Sequence, residues 1–255
     1  NVDIWYASDG TNFTKIIPAV DASASPQAWN PIPQAVTVLG KIKITSSDAD
    51  VFGISQNPFT VKGDLILTSP NGGGAALYVG AASTITWTNK GDWTGKTLDI
   101  SYSKTSGNAP WYSIRSADVE TGSPATWTGG IPDAIGDNLR VKIAITGQGL
   151  PAALELTDPS DSDFKIRGVL HITSPIVSSV WVVQKQDYDI TWTRDANANS
   201  MGNLKILYST NGTSFPDPGN LIATVAPADS PKSWRIPDVA GIITDTAKIK
   251  IDYAT

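Results

Sequence analysis

His171 is the single histidine of a 255-residue chain that contains no cysteine. Thiolate catalysis, disulfides, Cys-ligated metals and any site needing two imidazoles are therefore excluded, and a Ser-His-Asp triad could draw on this one residue only. His171 lies in Gly168-Val169-Leu170-His171-Ile172-Thr173-Ser174-Pro175. A stretch of the same pattern, Gly63 to Pro70, has Ile66 at that place, so the position works without an imidazole and reads as structural. No Walker loop, serine elbow, His-Glu-x-x-His or Gly-x-Gly-x-x-Gly pattern occurs, and the Gly-rich stretch Asn71 to Gly74 has no helix behind it to cradle a phosphate. The chain reads as non-catalytic.

Three other groups of residues could bind. Asp158, Asp161 and Asp163 offer the hard oxygen ligands that calcium takes, and they precede a strand that closes a repeat. Calcium is the one cofactor the sequence suggests. Sugar rings stack on exposed aromatic faces, and of nine tryptophans Trp29, Trp87, Trp111, Trp127, Trp192 and Trp234 recur at fixed places as core or corner residues. Trp181 goes with Tyr78 as a strand aromatic. Trp5 and Trp93 have no counterpart and are the candidates for glycan stacking, with packing against a neighbouring unit as the competing use. Asn12-Phe13-Thr14 and Asn211-Gly212-Thr213 are glycosylation sequons in corresponding turns.

The elements that would position these residues repeat with a period of about 105. Gly63 to Pro70 returns at Gly168 to Pro175, and Ile85-Thr86-Trp87-Thr88 returns as Ile190-Thr191-Trp192-Thr193. A strand of the type Ile-x-Tyr occurs three times, at Val2 to Ala7, Leu98 to Ser103 and Leu204 to Ser209. Turns of the Asp-Gly or Asn-Gly kind follow the first and third copies. Next come Ser-Pro-x-x-Trp (Ser25, Ser123, Ser230) and Ile-Pro (Ile32, Ile131, Ile236), then an alternating strand such as Lys41-Ile42-Lys43-Ile44. Period-2 alternation buries one face and wets the other. The boundaries predicted are 1–63, the C-terminal part of a first repeat; 64–168, a complete repeat; and 169–255, a third repeat lacking its last strand. The expectation is a window onto a longer array, or an array whose ends are completed by neighbouring molecules.

Each unit carries about seven short strands and no helical periodicity, which predicts an all-β chain of tandem antiparallel sandwiches. Trp87 and Trp192 on the second strand, with Tyr102 and Tyr208 on the third, resemble the core aromatics of Ig-like and fibronectin type III-like units. The order Ile-Thr-Ser-Pro, turn, Ile-Thr-Trp-Thr, Ile-x-Tyr-Ser also resembles the repeats of large bacterial cell-surface proteins and is similar to the Ser/Thr-rich GPI-anchored cell-wall repeat family.

Composition narrows the partners. With 19 basic against 24 acidic residues, a net charge of −5 and a pI near 4.8, the chain lacks the cationic surplus that nucleic acid demands. No run approaches the roughly 20 apolar residues that span a bilayer, so membrane insertion is not expected. Glu120 and Glu155 are the only glutamates against 22 aspartates, a skew toward turns and away from helices. These features point to an extracellular, cell-surface structural protein, a stiff array serving as a stalk or assembling with copies of itself into a surface layer or filament. The alternative is a carbohydrate-binding or adhesion module of a secreted multidomain protein, with cell-surface glycans as partners.

Overall fold

A computed structural model describes residues 1–255 except 47, 49, 50, 75, 195–199 and 255. Residues 1–63 form β1 (Val2–Ala7), β2 (Thr14–Val20), β3 (Thr37–Ser46), β4 (Phe52–Ile54) and β5 (Phe59–Val61). Residues 64–168 form β6 (Asp64–Ser69), β7 (Leu77–Tyr78), β8 (Thr84–Lys90), β9 (Thr97–Ser103), β10 (Trp111–Asp118), β11 (Ala125–Thr126), β12 (Gly136–Ile145), β13 (Leu156–Pro159) and β14 (Phe164–Arg167). Residues 169–255 form β15 (Leu170–Ser174), β16 (Tyr188–Arg194), β17 (Leu204–Ser209), β18 (Leu221–Val225), β19 (Lys232–Trp234) and β20 (Lys248–Tyr253). The fold class is all-β with Ig-like antiparallel sheets, as expected. Among the described residues two details differ from the sequence reading: a 3₁₀ turn at Ala152–Leu154, and a parallel pairing of β7 with β14.

Two compact units are present. One comprises Asn1–Gly74, Thr84–Thr128 and Asn138–Phe164; the other comprises Ala75–Ser83, Gly129–Asp137 and Lys165–Thr255. The first holds the sheets β2-β1-β3-β4, with β5 on β3, and β11-β8-β6, together with β10-β9-β12, on which β13 pairs. The second holds β15-β16-β19 and β18-β17-β20. In the second unit Ile190 and Trp192 of one sheet and Leu204, Ile206 and Val225 of the other form one buried cluster, so the two sheets pack face to face. Alternation selects these residues: β16 buries Ile190 and Trp192 while the threonines beside them stay on the outer face.

The strand registers repeat as well. Ile4 lies opposite Ile44, Ile100 opposite Ile143, and Ile206 opposite Ile251. The Trp87 amide donates to Ser123 Oγ (3.1 Å) and the Trp192 amide to Ser230 Oγ (3.0 Å), which is what the serine of the Ser-Pro element does. The indole Nε1 groups of the same tryptophans donate to the carbonyls of Val119 and Pro227. On the outer face the Thr68–Thr86 and Thr173–Thr191 hydroxyl pairs both meet at 2.7 Å.

The aspartate excess has a local cause. Asp9 accepts from the amides of Thr11 and Asn12, Asp21 from Ser23, Asp92 from Thr94, and Asp118 from Glu120 and Thr121. A carboxylate one methylene from the backbone satisfies the turn's own amides, a reach that glutamate overshoots. These hydrogen bonds favour the charged form and hold all four carboxyls below the usual aspartate range.

Candidate functional site

The connection from β5 to β6 consists of Lys62 and Gly63 alone. Trp93, in the turn after β8, is packed against this connection and is only 1% exposed. Its Nε1 donates to the Lys90 carbonyl (3.0 Å) and its amide to Glu120 Oε1 (2.8 Å). A Cβ on Gly63 would lie 2.5 Å from the indole ring, so glycine is what opens the slot. Gln34, from the segment ahead of β3, fixes the same turn: its Oε1 accepts from the Gly91 amide and its carbonyl from the Asp92 amide, both at 2.7 Å. Trp93 is therefore a joint residue, and its expected role as an exposed glycan platform is corrected: at 1% exposure the indole offers no open face for a sugar to stack on. The signal missed in the sequence was the pair Gly63 and Gly91, which lie side by side against the indole: a Cβ on Gly91 would come 3.2 Å from Gly63 Cα and 3.3 Å from Trp93 Nε1.

Trp5 is half-buried in the middle of β1. Cross-strand register places Lys15 of β2 and Lys43 of β3 opposite it, and both ammonium groups sit over the ring, 5.0 and 4.9 Å from its centroid. Nε1 donates to Thr45 Oγ1, Lys43 also lies over Phe13, and Lys15 pairs with Asp3 at 2.6 Å. The ring quadrupole is thus shared by two cations.

The three candidate calcium ligands do not converge. Asp158 Oδ2 accepts from the Leu67 amide (2.6 Å), and Asp161 Oδ2 from Asn71 Nδ2 (2.7 Å). Asp163 takes Ser106 Oγ on one oxygen (2.6 Å) and Arg140 Nε on the other (2.7 Å). Among the described residues no three acidic or imidazole side chains form a group that could hold a metal. The carboxylates instead pin the segment around β13 to β6, the loop after it, and β12. Donation from Ser106 and then from Arg140 lowers the Asp163 pKa. A folded-state pKa below the unfolded value gives stabilisation that is complete above about pH 4 and is lost as pH falls through the folded-state value. Asp163→Asn should thus shrink the difference in thermal midpoint between pH 7 and pH 3, mainly by lowering the pH 7 value; an unchanged difference would show that the pair contributes nothing.

Both sequon asparagines are exposed in turns. Asn12 is a turn residue whose side-chain amide donates to Asp9. Asn211 takes the capping role that Asp9 has in the first segment, its Oδ1 accepting from the amides of Thr213 and Ser214. His171 is exposed on β15, opposite Thr193.

Two concavities flank the inner face of β1 and β3. A cleft of about 460 Å³ is lined by Trp29, Ile32, Phe59 and Val61 together with Lys62 and Lys90. A groove of about 430 Å³ is lined by Ile4, Ile17, Ile42 and Ile44. Among the described residues no helix is long and apolar enough to cross a membrane.

No known family model matches the chain, and no curated protein does. Among solved structures, the chain is similar to the fibronectin(III)-like modules of Clostridium thermocellum CbhA, at 16% identity over 68% of this chain and 78% of that one, with a TM-score of 0.26.

Proposed function

We propose that this chain is a non-catalytic, extracellular structural protein of the cell surface, a stiff array of Ig-like repeats spanning 1–63, 64–168 and 169–255. It acts as a stalk or assembles with further copies of itself into a surface layer or filament. The observation that carries this reading is the joint at Lys62 and Gly63. A flexible tether needs a run of solvated residues, whereas this connection is two residues long, with an indole packed on it and Gln34 hydrogen-bonded to the adjoining turn. Units joined in this way keep a fixed orientation to their neighbours, the property a stalk or lattice needs. Negative-stain microscopy of the native, full-length material tests the reading. Stiff rods, filaments or an ordered sheet support it; beads on a flexible string would overturn it.

A further inference from the structure

The inner face of β1 and β3 is built from the residue types that form the core elsewhere, yet it is only partly covered: Tyr6 is buried against Trp29 and Phe59, while Ile4 and Ile42 are half-buried and Ile44 is exposed. Ile44 is 43% exposed, whereas Ile143, at the same register on β12, is 0% exposed; Ile32 is 55% exposed against 2% for Ile131. Backbone partners are missing in the same places. Ser123 and Ser230 cap the amides of Trp87 and Trp192, while the corresponding Ser25 faces no such strand among the described residues. Ala125 and Lys232 pair with Ile85 and Ile190, while residues 21–36 form no strand. Ile131 exchanges backbone hydrogen bonds with Gly80 and Ala81, and Ile166 of β14 pairs with Leu77. Ile32 and Val61, their counterparts, have no equivalent pairing among the described residues.

All four deficits are met by one object. We infer that the open face of β1 and β3 is the docking site of an antiparallel sheet of the β6-β8-β11 type, supplied in cis by polypeptide ahead of β1. Its inner face carries alternate apolar residues in the manner of Leu65, Leu67, Ile85 and Trp87, and its outgoing strand ends close to β1. In the second segment β8 ends at Lys90 and β9 begins at Thr97, the residue in register with Asn1, so the covering sheet and the covered strand are joined by six residues. The 460 Å³ cleft and the 430 Å³ groove are then two parts of one unfilled half-core rather than ligand pockets. This inference does not depend on the stiff-array reading.

The test grafts residues 64–96 of this chain directly onto Asn1, recreating the Lys96-Thr97 connection as Lys96-Asn1. The parent chain is expected to be monomeric by light scattering and to bind the apolar dye ANS. The graft should abolish that binding, raise the thermal midpoint by several degrees and protect the Ile32 amide from hydrogen exchange. Ile44→Asp should lower the parent's midpoint only slightly and remove the graft's gain, which separates docking from a graft that simply fails to fold. Dye binding that persists in a folded graft overturns the inference. So does a parent chain that is a dye-silent dimer, since a second copy would then be the occupant.

Discussion

Replacing Trp93 by alanine is expected to cost about 3–5 kcal/mol of stability, the usual range for deleting a buried aromatic core side chain. The ring is among the largest fully buried side chains, and removing it also leaves the Lys90 carbonyl without its indole donor. The effect should not stay local. With the slot beside Gly63 empty, the connection between β5 and β6 loses the group that immobilises it, so trypsin should cut after the exposed Lys62 far faster than in the parent chain. Trp93→Phe keeps much of the packing and loses only the Nε1 hydrogen bond, and should fall between the two. If Trp93→Ala melts and is cut like the parent, the joint is not held by this residue and the argument for stiffness fails. A glycan-binding role makes the opposite forecast: affinity lost, with stability and proteolysis unchanged.

The second large effect is a contrast between two identical substitutions at matched register. Ile143→Ala should cost about 2–5 kcal/mol, because a fully buried branched side chain leaves a cavity that its neighbours fill only in part. Ile44→Ala, at the matching place on β3 but 43% exposed, should cost no more than about 1 kcal/mol. Chemical denaturation of both variants measures the difference directly. Equal costs would mean that the face of β1 and β3 is covered in solution by something other than water. In the chain carrying the grafted strands, Ile44→Ala should move toward the Ile143→Ala value.

Much of the fold was legible because it is written in short-range chemistry. Ile-x-Tyr strands, Asp-Gly and Asn-Gly turns and the Ser-Pro-x-x-Trp element each act within a few residues, and they fall where strands and turns are found. The Ser-Pro serines illustrate the limit. Their recurrence was visible, but the hydrogen bond from the Trp87 amide to Ser123 spans 36 residues and depends on how sheets stack. The candidate sites were read less well for the same reason. Asp158, Asp161 and Asp163 are near neighbours in sequence, yet their partners Leu67, Asn71, Arg140 and Ser106 come from three separate stretches. Trp5 looked like a bare aromatic because only cross-strand register brings Lys15 and Lys43 onto it. Trp93 looked exposed because a turn rich in glycine and aspartate normally is; the slot belongs to Gly63, thirty positions earlier.

The two-residue connection also decides how the chain would respond to being pulled. Two residues can extend by at most about 7 Å, so there is almost no slack to take up before tension reaches the flanking strands. A load entering at β5 is passed at once to β6, where it meets the five paired positions that join β6 to β8, and at the other end the pairing of β5 with β3. Extension must therefore begin by breaking hydrogen-bonded ladders instead of straightening a tether, and the force at which a unit gives way is set by strand pairing on the two sides of Gly63.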